Sequence, residues 1–562
     1  MKFSEYPYHR PDIVSMASKI DEKKEELKQA KSAIEAEKII KEVEKITDDY
    51  DTMESICYIR NTINTVDEFY ENEINFLSEN DPVLKKSLTD FQKIVLECPY
   101  KSELEAKFSK QYFTVMELRM KSFDECIMED LVLESKLCTK YAKLLAGAKI
   151  EFDGKVNNLS QMTVYTNSMD RNIRKSAYEK ISAFMESIED EIDSIYDELV
   201  QIRTTMARKL GYDNYVDFGY ARLGRSDYDS KKVANYRKQI LSSVVPVAKK
   251  IIDDQAKRLG LSDFAFYDIP LFYKDGNPNH EKTKEELLNA ADTFYGKLSK
   301  ETKEFFTYMQ KHELMDLETK PGKAGGGYCT MIANYKSPFI FSNFNGSMGD
   351  VDVLTHEAGH AFQIYTASKY LPSSSIYWPT LEACEIHSMS MEFFAHPYMN
   401  LFFKKDANKY RLKHLSEAIT FLPYGACVDE FQHYVYENPT ATKQMRKEMW
   451  RALEKKYTPW KNYDGLSYYE RGTVWQRQSH IFQNAFYYID YTLAQVCAFQ
   501  FLILDHKNHQ AAWEKYYSLC KLGGSKSFLD LLKAVDLANP FEDGFLEKVM
   551  KELEPILKEM VF

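Results

Sequence analysis

Residues 356–360 read His356-Glu357-Ala358-Gly359-His360, and the fold prediction starts from this H-E-x-x-H motif. On an α-helix, positions four apart differ by about 40° around the axis, so His356 and His360 point the same way and can bind one cation. Glu357 lies about 100° round from His356, beside the cation, where its carboxylate can hold and deprotonate a water molecule. The motif therefore predicts a helix that carries a metal centre and a general base.

The helix around the motif has recognisable ends. Ser347-Met-Gly-Asp350 predicts its start, and the periodic apolar run ends near Lys369, with Pro372 just beyond. Gly359 costs about 1 kcal/mol in a helix interior relative to alanine, so we expect another segment to approach the helix closely there. Asp352, one turn before His356, can accept the imidazole N–H and orient the ring; a solvated carboxylate at the helix start is the alternative.

A catalytic zinc site usually has three protein ligands, so a third ligand must come from elsewhere. After Trp378-Pro379-Thr380, the sequence predicts a second helix from about Leu381 to Ala395. Glu382, Glu385 and Glu392 lie along one stripe of this helix, whereas His387 points about 200° away from Glu385. Spacing alone favours Glu385 and Glu382 equally as the third ligand, with Glu392 behind them.

The rest of the chain is predicted to be mostly α-helical. Of 562 residues only 21 are Gly and 17 are Pro, whereas 39 are Tyr and 34 are Phe. Apolar residues at helical spacing predict long helices over residues 18–64, 140–151 and 181–210, and Thr283-Lys-Glu-Glu286 is a capping box that opens another. The only clear sheet is expected in the Gly-rich region, where residues 328–335 and 338–344 would pair as a hairpin.

Charge and cysteine content exclude several functional classes. The formal charge of −11 gives no net positive field for nucleic acid or an anionic membrane. The nine cysteines contain no CxxC pair, and no apolar stretch reaches the roughly 20 residues that span a bilayer. The N-terminal residues show no apolar signal-peptide core, so we expect a cytoplasmic protein.

The zinc-motif region resembles the M3 family of zinc metallopeptidases, the thimet oligopeptidase and oligoendopeptidase F group, in particular its Pz-peptidase-like members. The family places a Glu, six residues and a second Glu after the motif, with the first Glu 29 positions beyond the first histidine. This resemblance implies Glu385 as the third ligand of one zinc ion per chain, with Glu392 as the second acid. It covers about residues 322–502 and is weak before them.

The resemblance also implies an architecture and a substrate. It predicts a two-lobed, mostly α helical metallopeptidase with a small β-sheet beside the zinc helix and a deep substrate channel. We expect an N-terminal helical lobe over residues 1–200 and a catalytic lobe over residues 201–562. The implied activity is hydrolysis of internal bonds in short unfolded peptides, including Gly- and Pro-containing peptides derived from collagen. Oligomeric state stays open.

Two further segments resemble family elements. Gly325-Gly-Gly-Tyr-Cys329 implies an edge strand in which Gly326, Gly327 and Tyr328 bind the extended substrate backbone; an ordinary hairpin turn is the alternative. In the stretch from His480 to Tyr491, Tyr488 and Tyr491 lie three apart on one helical face. The resemblance implies that both tyrosines donate to the oxyanion of the transition state, with His480 as a supporting donor; an aromatic core stripe is the alternative.

Two other functional classes remain to be distinguished. Glu357-x-x-His360 and Glu430-x-x-His433 are two Glu-x-x-His pairs of the kind that bind two irons in helical bundles, although this leaves His356 unexplained. Residues 429–433 also resemble a recurring M3 segment, which makes them a candidate cleft element. The other class is a peptide-binding protein that keeps the fold without catalysis.

Overall fold

Helices make up most of the structure, a computed structural model that describes residues 1–560. Up to residue 311 the α-helices are α1 (Ile13–Lys28), α2 (Ala33–Ile63), α3 (Glu68–Glu97), α4 (Lys101–Glu105), α5 (Lys110–Lys121), α6 (Met128–Ala146), α7 (Thr163–Thr166), α8 (Arg171–Lys209), α9 (Tyr215–Arg222), α10 (Ser230–Gln239), α11 (Val245–Leu259), α12 (Lys284–Leu298) and α13 (Lys300–Lys311). The later α-helices are α14 (Gly349–Tyr370), α15 (Leu381–Phe394), α16 (Asn400–Phe403), α17 (Ala407–Glu437), α18 (Lys443–Tyr457), α19 (Ser467–Glu470), α20 (Ser479–Gln483), α21 (Tyr488–Lys507), α22 (His509–Leu522), α23 (Phe528–Ala534) and α24 (Phe545–Met560). The predicted mostly α-helical class is confirmed.

The strands form two small sheets, β1 (Ile150–Phe152) with β2 (Lys155–Asn157), and β3 (Met315–Glu318), β4 (Tyr328–Ile332) and β5 (Ser337–Phe344) in the order β3-β5-β4. The antiparallel pairing of β4 with β5 confirms the predicted hairpin. The helix expected over residues 140–151 is wrong at its end, because β1 begins at Ile150. There, Asp153 and Gly154 adopt positive φ angles of 53° and 69° and close a tight hairpin.

Packing divides the described residues into two compact units. The first consists of Met1–Met120, Asn279–Ala407 and Cys497–Ala538; the second consists of Lys121–Pro278, Asn408–Val496 and the described residues from 539 onward. Each unit combines segments that are distant in sequence, so the two units do not coincide with the predicted lobes, residues 1–200 and 201–562. Residue 200 falls inside α8.

The first unit has two layers that matter for the site. Helices α1, α2 and α3 pack around a core that includes Ile20, Cys57 and Val95. Helix α14 packs against β4 and β5 on one side and against α15 and α22 on others. Through Ile364, which is fully buried, α14 contributes to a cluster that contacts the β4 residue Met331. The sheet therefore lies directly beside the helix of the metal motif, as predicted.

In the second unit, helices α6 and α8 pack together, and its buried charges are paired. Arg203 on α8 donates from Nε to Glu134 of α6 over 2.6 Å, and both side chains are almost fully buried. Arg174 bonds Asp268 over 2.7 Å in an equally buried pair. Since an unpaired buried charge is strongly destabilising, these pairs restrict how the helices can pack.

Candidate metal centre and active site

Helices α14 and α15 meet at a glycine. A Cβ atom built on Gly359 would lie 2.6 Å from Cα of Ser388 and 2.7 Å from the carbonyl oxygen of His387. The close approach expected from the sequence is confirmed, and its partner is the backbone of α15. It brings the two histidines of α14 within reach of the acidic residues of α15.

His356, His360 and Glu385 converge on one point. The Oε2 atom of Glu385 lies 3.3 Å from Nε2 of His356 and 3.4 Å from Nε2 of His360. Ligands about 2.0–2.1 Å from a tetrahedral ion lie about 3.3–3.4 Å from one another, so these separations fit zinc. Within residues 1–560, this trio is the cluster of His, Cys, Asp and Glu side chains that could hold a metal ion.

Hydrogen bonds orient two of the three ligands. Oε1 of Glu392 lies 2.6 Å from Nδ1 of His356, so the ring donates there and turns Nε2 toward Glu385. Ser388 donates its hydroxyl to Oε2 of Glu385 over 2.9 Å. Glu392 therefore fills the orienting role that was expected of Asp352. Ser388 was not identified from the sequence, although it lies one turn after Glu385.

The charges in the cluster are strongly coupled. Burial disfavours a charge on Glu385, but His360 and His356 outweigh burial and hold the pKa of Glu385 well below its usual range. Burial likewise opposes charge on His356, yet Glu385 and Glu392 keep its pKa well above the usual value. A half-buried site that gathers two imidazoles around one carboxylate suits a divalent cation.

Glu382 and His387 on the same helix do not join the trio. Glu382 is buried, and its Oε1 accepts from the hydroxyl of Thr380 over 3.0 Å. His387 donates from Nδ1 to the carbonyl of Ala383 over 2.9 Å, and burial lowers its pKa to about 4. The structure thus separates Glu385 from Glu382, which helical spacing alone could not do.

Glu357 lies beside the trio and next to the Gly-rich strand. Its side chain is 8% exposed, and burial raises its pKa, although His356 and His360 oppose this effect. A Cβ atom on Gly327 would stand 3.8 Å from Oε1 of Glu357, so this glycine borders the carboxylate. A raised pKa makes Glu357 a better proton acceptor than a solvated glutamate.

Gly326 and Tyr328 flank Gly327 in the Gly-rich segment. Gly326 has a φ of +89°, which side chains disfavour, and no atom lies within 4 Å of its virtual Cβ. Tyr328 opens β4, and its hydroxyl lies 2.7 Å from Oγ1 of Thr62 on α2. All three predicted substrate-binding residues thus belong to the unit that holds the metal trio, at the start of an edge strand.

His480, Tyr488 and Tyr491 form a separate cluster in the second unit. The ring of His480 lies 5.0 Å from that of Tyr488 and 5.6 Å from that of Tyr491. Gln478 Nε2 lies 2.9 Å from Nδ1 of His480, so that nitrogen accepts and Nε2 is the protonated one, 3.5 Å from the hydroxyl of Tyr491. The three predicted residues are brought together, and burial raises the pKa of Tyr488, which keeps its phenol neutral.

The second Glu-x-x-His pair is bound by other protein side chains. His433 is buried, with Nε2 3.1 Å from the hydroxyl of Tyr220 and Nδ1 3.2 Å from Asp429, which also pairs with Arg237. Glu430 bonds Lys456 and Tyr457. Because Glu430 is bonded to a cation and a hydrogen-bond donor, it and His433 do not form the second ligand set that a di-iron site requires.

The start of α14 is fixed by contacts that the sequence did not predict. The carboxylate of Asp350 accepts from the backbone N–H groups of Asn345 and Gly346 over 3.0 and 2.8 Å. It also faces Nε2 of the buried His280 at 3.1 Å. His280 is 70 residues away in sequence, so no local pattern could identify it.

No helix in residues 1–560 is both long and apolar enough to cross a membrane.

Comparison with known proteins finds a family model described as Peptidase family M3 over residues 164–551 and one described as Peptidase M3 N-terminal domain over residues 3–123. The N-terminal match extends the family likeness into a region where the sequence resemblance was weak.

Individual relatives agree with the family models. The chain is 24% identical over 423 residues to "Oligopeptidase PepF" of Bacillus subtilis; the match covers 70% of this chain but 58% of that protein, so the chain spans little more than half of it. It is 24% identical to "Oligoendopeptidase F homolog" of Borreliella burgdorferi, covering 82% of this chain and 75% of that one. The solved structure titled "PZ PEPTIDASE A with inhibitor 2" superimposes with a TM-score of 0.93 at 49% identity, covering 99% of both chains. The chain belongs to peptidase family M3, as its zinc-motif region predicted.

Proposed function

We propose that this chain is a zinc-dependent oligoendopeptidase that hydrolyses internal bonds of short unfolded peptides. The observation that carries the proposal is the convergence of His356, His360 and Glu385 at tetrahedral spacing, with Glu357 alongside. One zinc ion per chain fits this single trio. Free thiols at all nine cysteines fit a reducing compartment, so we also propose a cytoplasmic location.

In this mechanism the ligands hold the ion and Glu357 moves the proton. A bound zinc ion would polarise the scissile carbonyl and acidify a water molecule. Glu357 takes a proton from the attacking water at its carboxylate and then delivers it to the leaving amine. Its burial supports both steps, because a raised pKa lets the same group accept and later release the proton.

Two other elements supply binding and charge stabilisation. The start of β4, with Gly326, Gly327 and Tyr328, would bind the extended peptide by main-chain hydrogen bonds, which accept many side chains. We propose that Tyr488 and Tyr491 donate to the developing oxyanion, and that His480 orients Tyr491 by donating to its hydroxyl oxygen. Phenols can donate in this way while remaining neutral.

Zinc content and peptide cleavage test the proposal together. Wild type and Glu357→Gln should each contain about one zinc per chain, and mass spectrometry should detect internal cleavage of short peptides by wild type only. The peptide mixture should include Gly- and Pro-containing sequences. A wild-type protein that binds zinc and peptides but cleaves none would support the non-catalytic binding protein instead.

A further inference from the structure

The backbone of β4 has a defined open edge. Within the three-stranded sheet, Ile340 of the central strand β5 donates its N–H to Leu314 over 3.0 Å, on the β3 side. Backbone groups alternate along a strand, and Cys329 of β4 lies opposite Ile340. The N–H and C=O groups of Cys329 therefore point away from β5, toward the outer edge.

Helix α2 covers one end of that edge. Two residues after Cys329, the carbonyl of Met331 accepts a hydrogen bond from Oγ of Ser55 over 3.1 Å, which confirms that this set of groups points outward. Within residues 1–560, no protein group bonds the outward backbone groups of Cys329. The part of the edge left for a peptide is thus the start of β4, next to Gly327 and Glu357.

An exposed aromatic ring stands beside this open part. The side chain of Tyr328 points to the face opposite that of Cys329, where it stacks on Phe341 with ring centroids 4.9 Å apart. The ring of Tyr58 on α2 lies 5.3 Å from that of Tyr328 and is tilted against it. Tyr58 is 46% exposed, so its ring is accessible to solvent beside the sheet.

We propose that Tyr58 and Tyr328 form the wall of a substrate subsite that binds a flat apolar side chain, either an aromatic ring or proline. The inference rests on the proposed peptidase function. The side chain of Cys329 lies on the face where the charge of Glu357 acts on its thiol. Side chains of an extended peptide alternate between faces, so a peptide residue paired with Cys329 points to that same face. Its neighbours in the peptide then point toward the face that carries Tyr328 and Tyr58.

The wall is held rigidly in place. The N–H of Ala324 donates to the carbonyl of Thr62 over 2.8 Å, and the N–H of Thr65 donates to the carbonyl of Gly322 over 2.6 Å. These bonds fix the Gly-rich segment to the end of α2, one turn after Tyr58. A preformed aromatic surface loses little conformational entropy when a second ring packs on it.

The test compares peptides that differ at one residue. Sets carrying Phe, Pro or Gly at each position in turn are cleaved by wild type, Tyr58→Ala and Tyr58→Phe. The matched control is Tyr370→Ala, which removes another exposed tyrosine of the same unit, at the end of α14. Tyr58→Gln provides a second variant with a polar side chain of similar reach.

We expect Tyr58→Ala and Tyr58→Gln to lower kcat/KM about 5-fold for peptides with Phe or Pro at one position, through a higher KM. Peptides with Gly there should lose less than those with Phe or Pro. Tyr58→Phe, which keeps the ring, should retain the preference for Phe and Pro over Gly, and the matched control Tyr370→Ala should behave as wild type. Equal losses for all peptides, or no loss, would overturn the subsite. If wild type cleaves no peptide, the proposed function fails and not the subsite alone.

Discussion

Replacing Gly359 by alanine should damage the metal centre without touching a ligand. The new Cβ would lie 2.6 Å from Cα of Ser388, about 1 Å closer than ordinary carbon contacts allow, and both partners are helix backbone. Helices α14 and α15 must therefore separate by about 1 Å, which exceeds the roughly 0.2 Å tolerance of zinc–ligand distances. We expect zinc affinity to fall at least 10-fold, and the free energy of unfolding to fall by about 1–3 kcal/mol through overpacking.

Chelator competition measures the zinc affinity, and thermal unfolding of the metal-free protein measures the stability. Gly296→Ala on α12 is the matched control, because the nearest atom to its virtual Cβ is a lysine side-chain carbon at 3.7 Å. This variant should keep its zinc affinity and gain up to about 1 kcal/mol from helix propensity. Wild-type zinc affinity in Gly359→Ala would refute the idea that this contact sets the ligand spacing.

Three further predictions concern the third metal ligand, the proposed oxyanion donor Tyr491 and the buried ion pair of Glu134. Glu385→Gln should reduce zinc affinity at least 10-fold, whereas Glu382→Gln should stay within about 3-fold of wild type by chelator competition, because Glu382 bonds Thr380 instead. Tyr491→Phe should lower kcat about 100-fold with little change in KM in steady-state assays, since the donor acts only in the transition state. Burial disfavours the charged form of Glu134, but Arg203 and Arg222 outweigh burial and lower the pKa of Glu134 from 4.5 to about 2. The ion pair therefore stabilises the folded protein fully above pH 4.5, and this contribution is lost as the pH falls from 4.5 through 2. The difference in unfolding temperature between wild type and Glu134→Gln should shrink over that range; a constant difference would contradict the assignment.

The parts of the fold that local patterns determine were predictable from the sequence. The capping box at Thr283 does open α12, and the helix expected to end near Lys369 ends at Tyr370. The hairpin of β4 and β5 follows from two β-branched and aromatic runs around a short turn. In each case the deciding contacts are local in sequence.

Long-range contacts account for what the sequence did not predict. Strand β3 pairs in parallel with β5 across more than 20 residues, and no periodicity marks it. Only Asp352 was expected to orient His356, and the packing of α15 against α14 brings Glu392 to Nδ1 of that ring instead. The hairpin at Ile150 is different, because its Asp-Gly turn is a local signal that helical periodicity outweighed.

Zinc K-edge X-ray absorption on the purified wild-type protein, with Glu385→Gln for comparison, tests the assigned metal ligands directly. Two histidine nitrogens and a carboxylate oxygen should surround one zinc per chain at about 2.0–2.2 Å, and the oxygen contribution should weaken or disappear in Glu385→Gln. Sulfur at about 2.3 Å, or a second metal about 3.5–4 Å away, would contradict the assignment of His356, His360 and Glu385 as the ligands.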